Sequence, residues 1–135
     1  SSETALPVDL EKYELKINPS DIHTFLYYAS MYIGDSQTMA TEAALLGTPS
    51  IRFNSFVGEN DMSNFTNLEN DYGLLKNLNT FDDLMKVTTK YLIDIDNIKL
   101  KHRYLAKQYF NDRYDITNQS LEILSSFISN NKCNA

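Results

Sequence analysis

Cysteine is almost absent from this chain. Cys133, in the polar tail NNKCNA, has no second cysteine to pair with, so an internal disulfide is excluded. That scarcity points to a reducing, cytoplasmic compartment. No apolar run approaches the roughly 20 residues that cross a bilayer, so no membrane span is expected. Residues 1–15 are too polar and charged for a signal peptide. Basic residues are in the minority, 12 against 18 acidic ones, giving a formal net charge of −6. That balance argues against a nucleic-acid or anionic-membrane surface. HExxH, paired CxxC motifs and the P-loop are all missing, and neither His23 nor His102 has metal-ligand spacing around it. No metal and no cofactor are expected. In a reducing compartment the triplets Asn64-Phe65-Thr66 and Asn118-Gln119-Ser120 read as chance matches to a glycosylation signal.

What is present centres on residues 31–53, MYIGDSQTMATEAALLGTPSIRF. Met31-Tyr32-Ile33 is a short apolar run that suits a buried strand, and Ser50-Ile51-Arg52-Phe53 is a second. Gly34 ends the first. Ser36 or Thr38 can cap a helix by accepting a hydrogen bond from an unpaired backbone N–H. Gly47 suits the left-handed position after that helix, and Pro49 prevents its continuation. Strand, helix and strand in so few residues predict a parallel, right-handed βαβ unit. The turn at Gly34–Thr38 then lies at the carboxyl end of a strand, where open α/β sheets usually bind ligands.

The chemistry offered by that turn is anion binding. The first helical turn has N–H groups without intrahelical partners, and the macrodipole adds partial positive charge. Ser36 and Thr38 add hydroxyl donors. Glu42, four residues after Thr38, shares its helix face and leans back toward the mouth of the turn, where it could accept from the vicinal hydroxyls of a ribose. The plainer reading is that Ser36 and Thr38 are only caps and Glu42 only complements the dipole.

The stretch IGDSQTMATEAALLGTPSI, with DIHTFLYYASMYIG before it, resembles the corresponding segment of the DUF354 family of uncharacterised prokaryotic proteins. That family looks like the GT-B glycosyltransferases, a group that includes UDP-N-acetylglucosamine 2-epimerases. The resemblance implies a Rossmann-like C-terminal lobe whose helix N-terminus receives a nucleotide diphosphate while a glutamate binds ribose. Carried over residue by residue, Gly34, Asp35, Ser36, Gln37, Thr38 and Met39 form the nucleotide-binding turn and Glu42 takes the ribose. One departure stands out. Many GT-B members have paired glycines where this chain has Ser36-Gln37, and glycine is what permits close backbone approach to a phosphate.

Around this centre, Tyr13–Ile17 alternates like a strand, and Asn18-Pro19-Ser20 is a turn. Ser20 or Asp21 can cap a helix over Ile22–Tyr28, with Phe25, Leu26 and Ala29 packed inward. His23, in its first turn, and Arg52, at the end of a strand, are candidate substrate-facing residues. The preferred reading of His23 is a partly exposed surface histidine, and Arg52 reads equally as the partner of an acidic residue. Residues 54–63 form a polar loop that could cover a ligand, with Gly58 as a pivot. Phe65, Leu68 and Tyr72 mark a helix ended by Gly73, and Leu74-Leu75 opens an edge strand. Thr80 caps a helix with Phe81, Leu84, Met85, Val87, Thr88 and Leu92 facing inward. Another helix runs from Ile98 to about Phe110 and carries Lys99, Lys101, Arg103 and Lys107 as a local basic face. The last helix, starting at Asp115 or Thr117, shows Leu121, Leu124, Phe127 and Ile128 on one side, with a frayed tail from Ser129.

The reading is a single α/β domain over 1–135, Rossmann-like, with a small parallel sheet of about four strands flanked by helices. With the resemblance, it reads as the excised C-terminal lobe of a two-lobe GT-B-type protein. The implied partners are a nucleotide-sugar, most simply a UDP-sugar, and the missing N-terminal lobe. Self-association through the last helix would follow where that lobe is absent. No nucleophile–base constellation stands out, so turnover by this chain alone is not expected. The rival reading is a non-catalytic scaffold that has lost nucleotide binding and serves in protein assembly.

Overall fold

The predicted strand–helix–strand unit forms, and a second one follows it. The computed structural model describes residues 6–58, 61–113 and 115–132, with side chains up to residue 129. Strands Tyr32–Gly34 (β1), Ser50–Phe53 (β2) and Leu75–Leu78 (β3) lie parallel in the order β1-β2-β3. Tyr32 pairs with Ser50 and Ser50 with Leu75, so all three strands share one carboxyl edge. Helices Ile22–Tyr28 (α1), Gln37–Leu45 (α2), Ser63–Asn70 (α3), Phe81–Ile93 (α4), Ile95–Asn111 (α5) and Ile116–Lys132 (α6) complete an α/β, Rossmann-like lobe.

Two strand expectations need correction. Tyr13–Ile17 is not a strand: Glu11–Tyr13 is a 3-10 turn, and the chain to Ile17 runs without a ladder partner. Alternating side chains specify an extended shape, but a strand also needs a neighbouring edge. Among the described residues the sheet therefore has three strands, not four. Helix starts differ as well. Asn18, not Ser20 or Asp21, supplies the cap before α1, accepting the Ser20 N–H at 3.1 Å. α5 begins at Ile95, because Asp94 alone joins it to α4.

The main apolar cluster lies on one side of the sheet. Ala40 and Ala44 of α2, Phe65 and Leu68 of α3, Leu74, Leu75 and Ala106 of α5 pack there, with Tyr32, Leu45, Tyr72, Leu105 and Tyr109 around them. Consecutive right-handed crossovers in one direction place α2 and α3 on that same side. Small residues let α2 sit close enough for the Ser50 hydroxyl to donate to the Ala40 carbonyl at 2.8 Å. Gly47, at φ +76°, ends α2 in the left-handed region and lets α5 pass directly beside it.

Several apolar faces do not pack as their spacing suggests. In α4, Phe81, Met85 and Leu92 are exposed, and Tyr91 is the buried residue. In α1 Leu26 is buried but Phe25 is not. α6 leaves Ile116, Leu121, Ile123, Leu124, Phe127 and Ile128 open to solvent. It also continues as helix to Lys132, past the expected fraying point at Ser129, while Cys133 lies outside the described residues.

His102 is the buried titratable group of α5, 4% exposed and edge-on to the Tyr91 ring. Burial, aided by the Lys101 and Lys76 charges, pushes its pKa down to about 4, against a smaller upward pull from a backbone hydrogen bond at Leu74. The unfolded chain takes up this proton near pH 6.5, but the folded chain does not until about pH 4. Stability from this site is therefore complete above pH 6.5 and lost progressively as pH falls toward 4. Between pH 7 and 5 the loss should be about 2 kcal/mol. Urea unfolding of the native chain and of His102→Gln at both pH values checks this; equal pH slopes in the two would remove His102 as the cause.

Candidate anion-binding turn

The turn from Gly34 to Thr38 links the carboxyl end of β1 to the amino end of α2. Ser36 is the N-cap, and its Oγ accepts the Met39 N–H at 3.3 Å. The Ala40 N–H goes to the Ser36 carbonyl at 3.0 Å. That leaves the Gln37 and Thr38 N–H groups, which precede the first intrahelical bonds, directed out of the helix end. Ser36 keeps its own hydroxyl hydrogen to donate, and Thr38 is exposed.

Two side chains chosen from different parts of the sequence meet here. His23 Nε2, from the first turn of α1, lies 3.3 Å from Glu42 Oε2 on α2. Both remain solvent-accessible, the histidine more so. Glu42 is thus tied to the first turn of α1 by a contact that spacing along the chain did not reveal. An exposed imidazole–carboxylate contact of this kind contributes little to stability, about 1 kcal/mol at most. Its significance is positional.

Arg52 does not join them. Its side chain is fully buried and ion-paired with Asp61, itself only 6% exposed. The guanidinium carbon lies 3.8 Å from the centre of the Phe65 ring. Of the two readings that Arg52 allowed, the structure takes the internal one: its charge is directed at an acidic side chain and an aromatic face, not at solvent. The reason is register. Arg52 pairs with Gly34 on one side and Asn77 on the other, on the face covered by α2 and α3.

Two residues at the turn escaped the sequence reading. Asn54, one residue past β2, donates from Nδ2 to the Asp35 carbonyl at 3.1 Å and so ties the turn to the polar loop. An asparagine at the carboxyl edge of a strand was the available signal. Tyr32 was read only as strand, yet its ring lies over Gly34, where a Cβ would collide with the phenol oxygen. Burial first, then the Asp35 charge, raises the Tyr32 pKa, so it remains a neutral donor near pH 7. The basic face of α5 is partly committed elsewhere. Lys99 Nζ donates to the Tyr28 carbonyl at 2.9 Å, and Arg103 stacks on the Tyr27 ring at 4.4 Å. Both serve the C-terminal end of α1, where cations are favoured.

Among the described residues no cluster of three His, Cys, Asp or Glu side chains could hold a metal, and no helix is long and apolar enough to cross a membrane. Comparison with known proteins finds no matching family model, no matching curated protein and no matching solved structure. The geometry therefore defines a class of fold, an α/β lobe with a helix N-terminus open at its carboxyl edge, and functional assignment has to come from the site.

Proposed function

We propose that this chain binds the diphosphate and ribose of a nucleotide-sugar, most simply a UDP-sugar, at the turn from Gly34 to Met39 and at Glu42. The chain would then be the C-terminal lobe of a GT-B-type, DUF354-like protein, either glycosyltransferase-like or epimerase-like. The observation that supports this most directly is the contact between Glu42 and His23 on a helix whose first N–H groups have no intrahelical acceptor. Phosphate oxygens would accept from the Gln37 and Thr38 N–H groups and from the Ser36 and Thr38 hydroxyls. Glu42 would accept from the ribose hydroxyls after exchanging its contact with His23, leaving the imidazole free to face the sugar side. Catalytic groups would come from a second lobe, and the exposed apolar side of α6 is a surface such a lobe would cover; without it, that side favours self-association.

One observation favours the rival scaffold reading. Ser36 Oγ already caps α2 and Glu42 already pairs with His23, which is how a purely structural turn would look. Titration with UDP, GDP, ADP and CMP while following thermal unfolding separates the two. Selective stabilisation by one nucleotide is expected, because ligand that binds only the native state raises its apparent stability. Glu42→Ala should then weaken that nucleotide by roughly 1–3 kcal/mol, the loss of one charged hydrogen-bond partner. No response to any nucleotide from this lobe, nor from a protein carrying both lobes, would favour the scaffold.

A further inference from the structure

None of the described side chains of α6, Ile116 to Ser129, is buried. Asp115 fixes the start of the helix by accepting the Asn118 N–H at 3.0 Å. Ile116, Leu121, Ile123, Leu124, Phe127 and Ile128 are each 55% exposed or more. At 3.6 residues per turn these six fall on one side of the helix, with Thr117 and Ser120 among them, while Asn118, Glu122, Ser125 and Ser129 fall on the other. A helix of this kind gains most of its stability by burying its apolar side, and the lobe does not cover that side.

The sequence of this face matches itself in reverse. Reflected about Glu122, Leu121 falls on Ile123 and Ile116 on Ile128, while the two smaller residues fall on large ones, Ser120 on Leu124 and Thr117 on Phe127. Two identical helices packed antiparallel with a two-fold axis at Glu122 make that reflection in space, because residues equally far before and after Glu122 come level across the contact. Glu122 itself lies on the far side, so two copies of a chain with net charge −6 meet here without like charges in the seam.

We infer that two copies of this chain associate through α6, antiparallel, with the two-fold axis at Glu122. The area is sufficient: the six side chains expose on the order of 600 Å² per copy, at the low end of what each partner gives to a stable interface. The contact is isologous, so it closes at two copies. A membrane surface matches less well, since a helix lying on a bilayer carries Lys and Arg on its polar side, and Asn118, Glu122, Ser125 and Ser129 offer no cation. The pairing does not rest on nucleotide binding, because α6 contributes no residue to the anion-binding turn.

Sedimentation equilibrium of the full chain tests this. The native chain should be a dimer at about 100 μM and dissociate on dilution through the micromolar range, as an interface of modest area does. In the antiparallel pair Ile116 lies one residue from level with Phe127 of the second copy, on the same flank of the seam. Ile116→Glu and Phe127→Lys should each weaken the dimer by at least about 10-fold, since each puts two unpaired charges into an apolar contact. Both positions are exposed, so neither substitution removes a contact that the lobe itself uses. Mixed in equal amounts, the two variants should associate at least about 10-fold more tightly than either alone, because glutamate then meets lysine. Parallel helices would hold those charges about 16 Å apart along the axis, beyond a Debye length, and mixing would restore nothing. The inference is overturned by a native chain that stays monomeric at the highest concentration, which would leave the face to a second lobe. It is equally overturned by a dimer that both substitutions leave intact, or by variants that stay apart when mixed.

Discussion

Asp61→Ala should lower the stability of the chain by about 3–5 kcal/mol, the penalty for leaving a buried charge without its partner. The Arg52 side chain has no solvent exposure, and its Nε and Nη1 have no hydrogen-bond partner among the described residues. Asp61 is the described counter-charge, and its other oxygen accepts the Met62 N–H at 2.9 Å just before α3. Removing it strands a guanidinium against Phe65, where the ring face offsets only part of the loss. Removing both charges is a different matter. Arg52→Met combined with Asp61→Leu should lose much less, because an apolar pair of similar volume needs no desolvation of ions. Urea unfolding of the single and double variants decides between these outcomes. An Asp61→Ala variant within about 0.5 kcal/mol of the native chain, the usual range for surface substitutions, would mean that the pair is open to water in solution.

Gly47→Ala should destabilise by roughly 2–5 kcal/mol, from two sources that act together. At φ +76° an L-residue meets a backbone penalty of roughly 1–2 kcal/mol. The added Cβ would also stand 2.7 Å from the Arg103 Cα, and backbone of a packed helix cannot swing aside as a side-chain tip can. Overpacking of that kind adds roughly 1–3 kcal/mol. Gly73 provides the control. It has a similar φ of +65°, but a Cβ there would meet only Leu105 Cδ1 at 3.9 Å. Gly73→Ala should therefore show the backbone penalty alone, about 1–2 kcal/mol. Similar losses at the two positions, measured by urea or thermal unfolding, would show that α5 can move away from α2 at little cost.

The contrast between these glycines shows how much a sequence can say. Both were legible as helix terminators, because each follows a run with helical spacing and only glycine enters the left-handed region freely. That one of them is also a contact point with α5 was not legible, since Arg103 lies 56 residues further along the chain. The same division runs through the site. Ser36 or Thr38 as the cap of α2 could be read from their place before a helical run, and the structure uses Ser36. The meeting of Glu42 with His23 could not, because nothing in either residue's neighbourhood encodes the angle between α1 and α2.

Local chemistry by itself determined the βαβ unit, the helix cap at Thr80, a cap at Ser36 or Thr38, and the α/β class, since periodicity, caps and glycine stops act within a few residues. Tertiary structure decided which polar groups the fold uses internally. It buried Arg52 against Asp61, spread Lys99 and Arg103 over the end of α1, and left residues 14–17 without a ladder partner. It also covered one sheet edge with Glu69 and gave the other no such cover among the described residues. The physical reason is common to all of these: a charge or a strand edge needs a partner, and which partner it meets depends on chain packing at a distance.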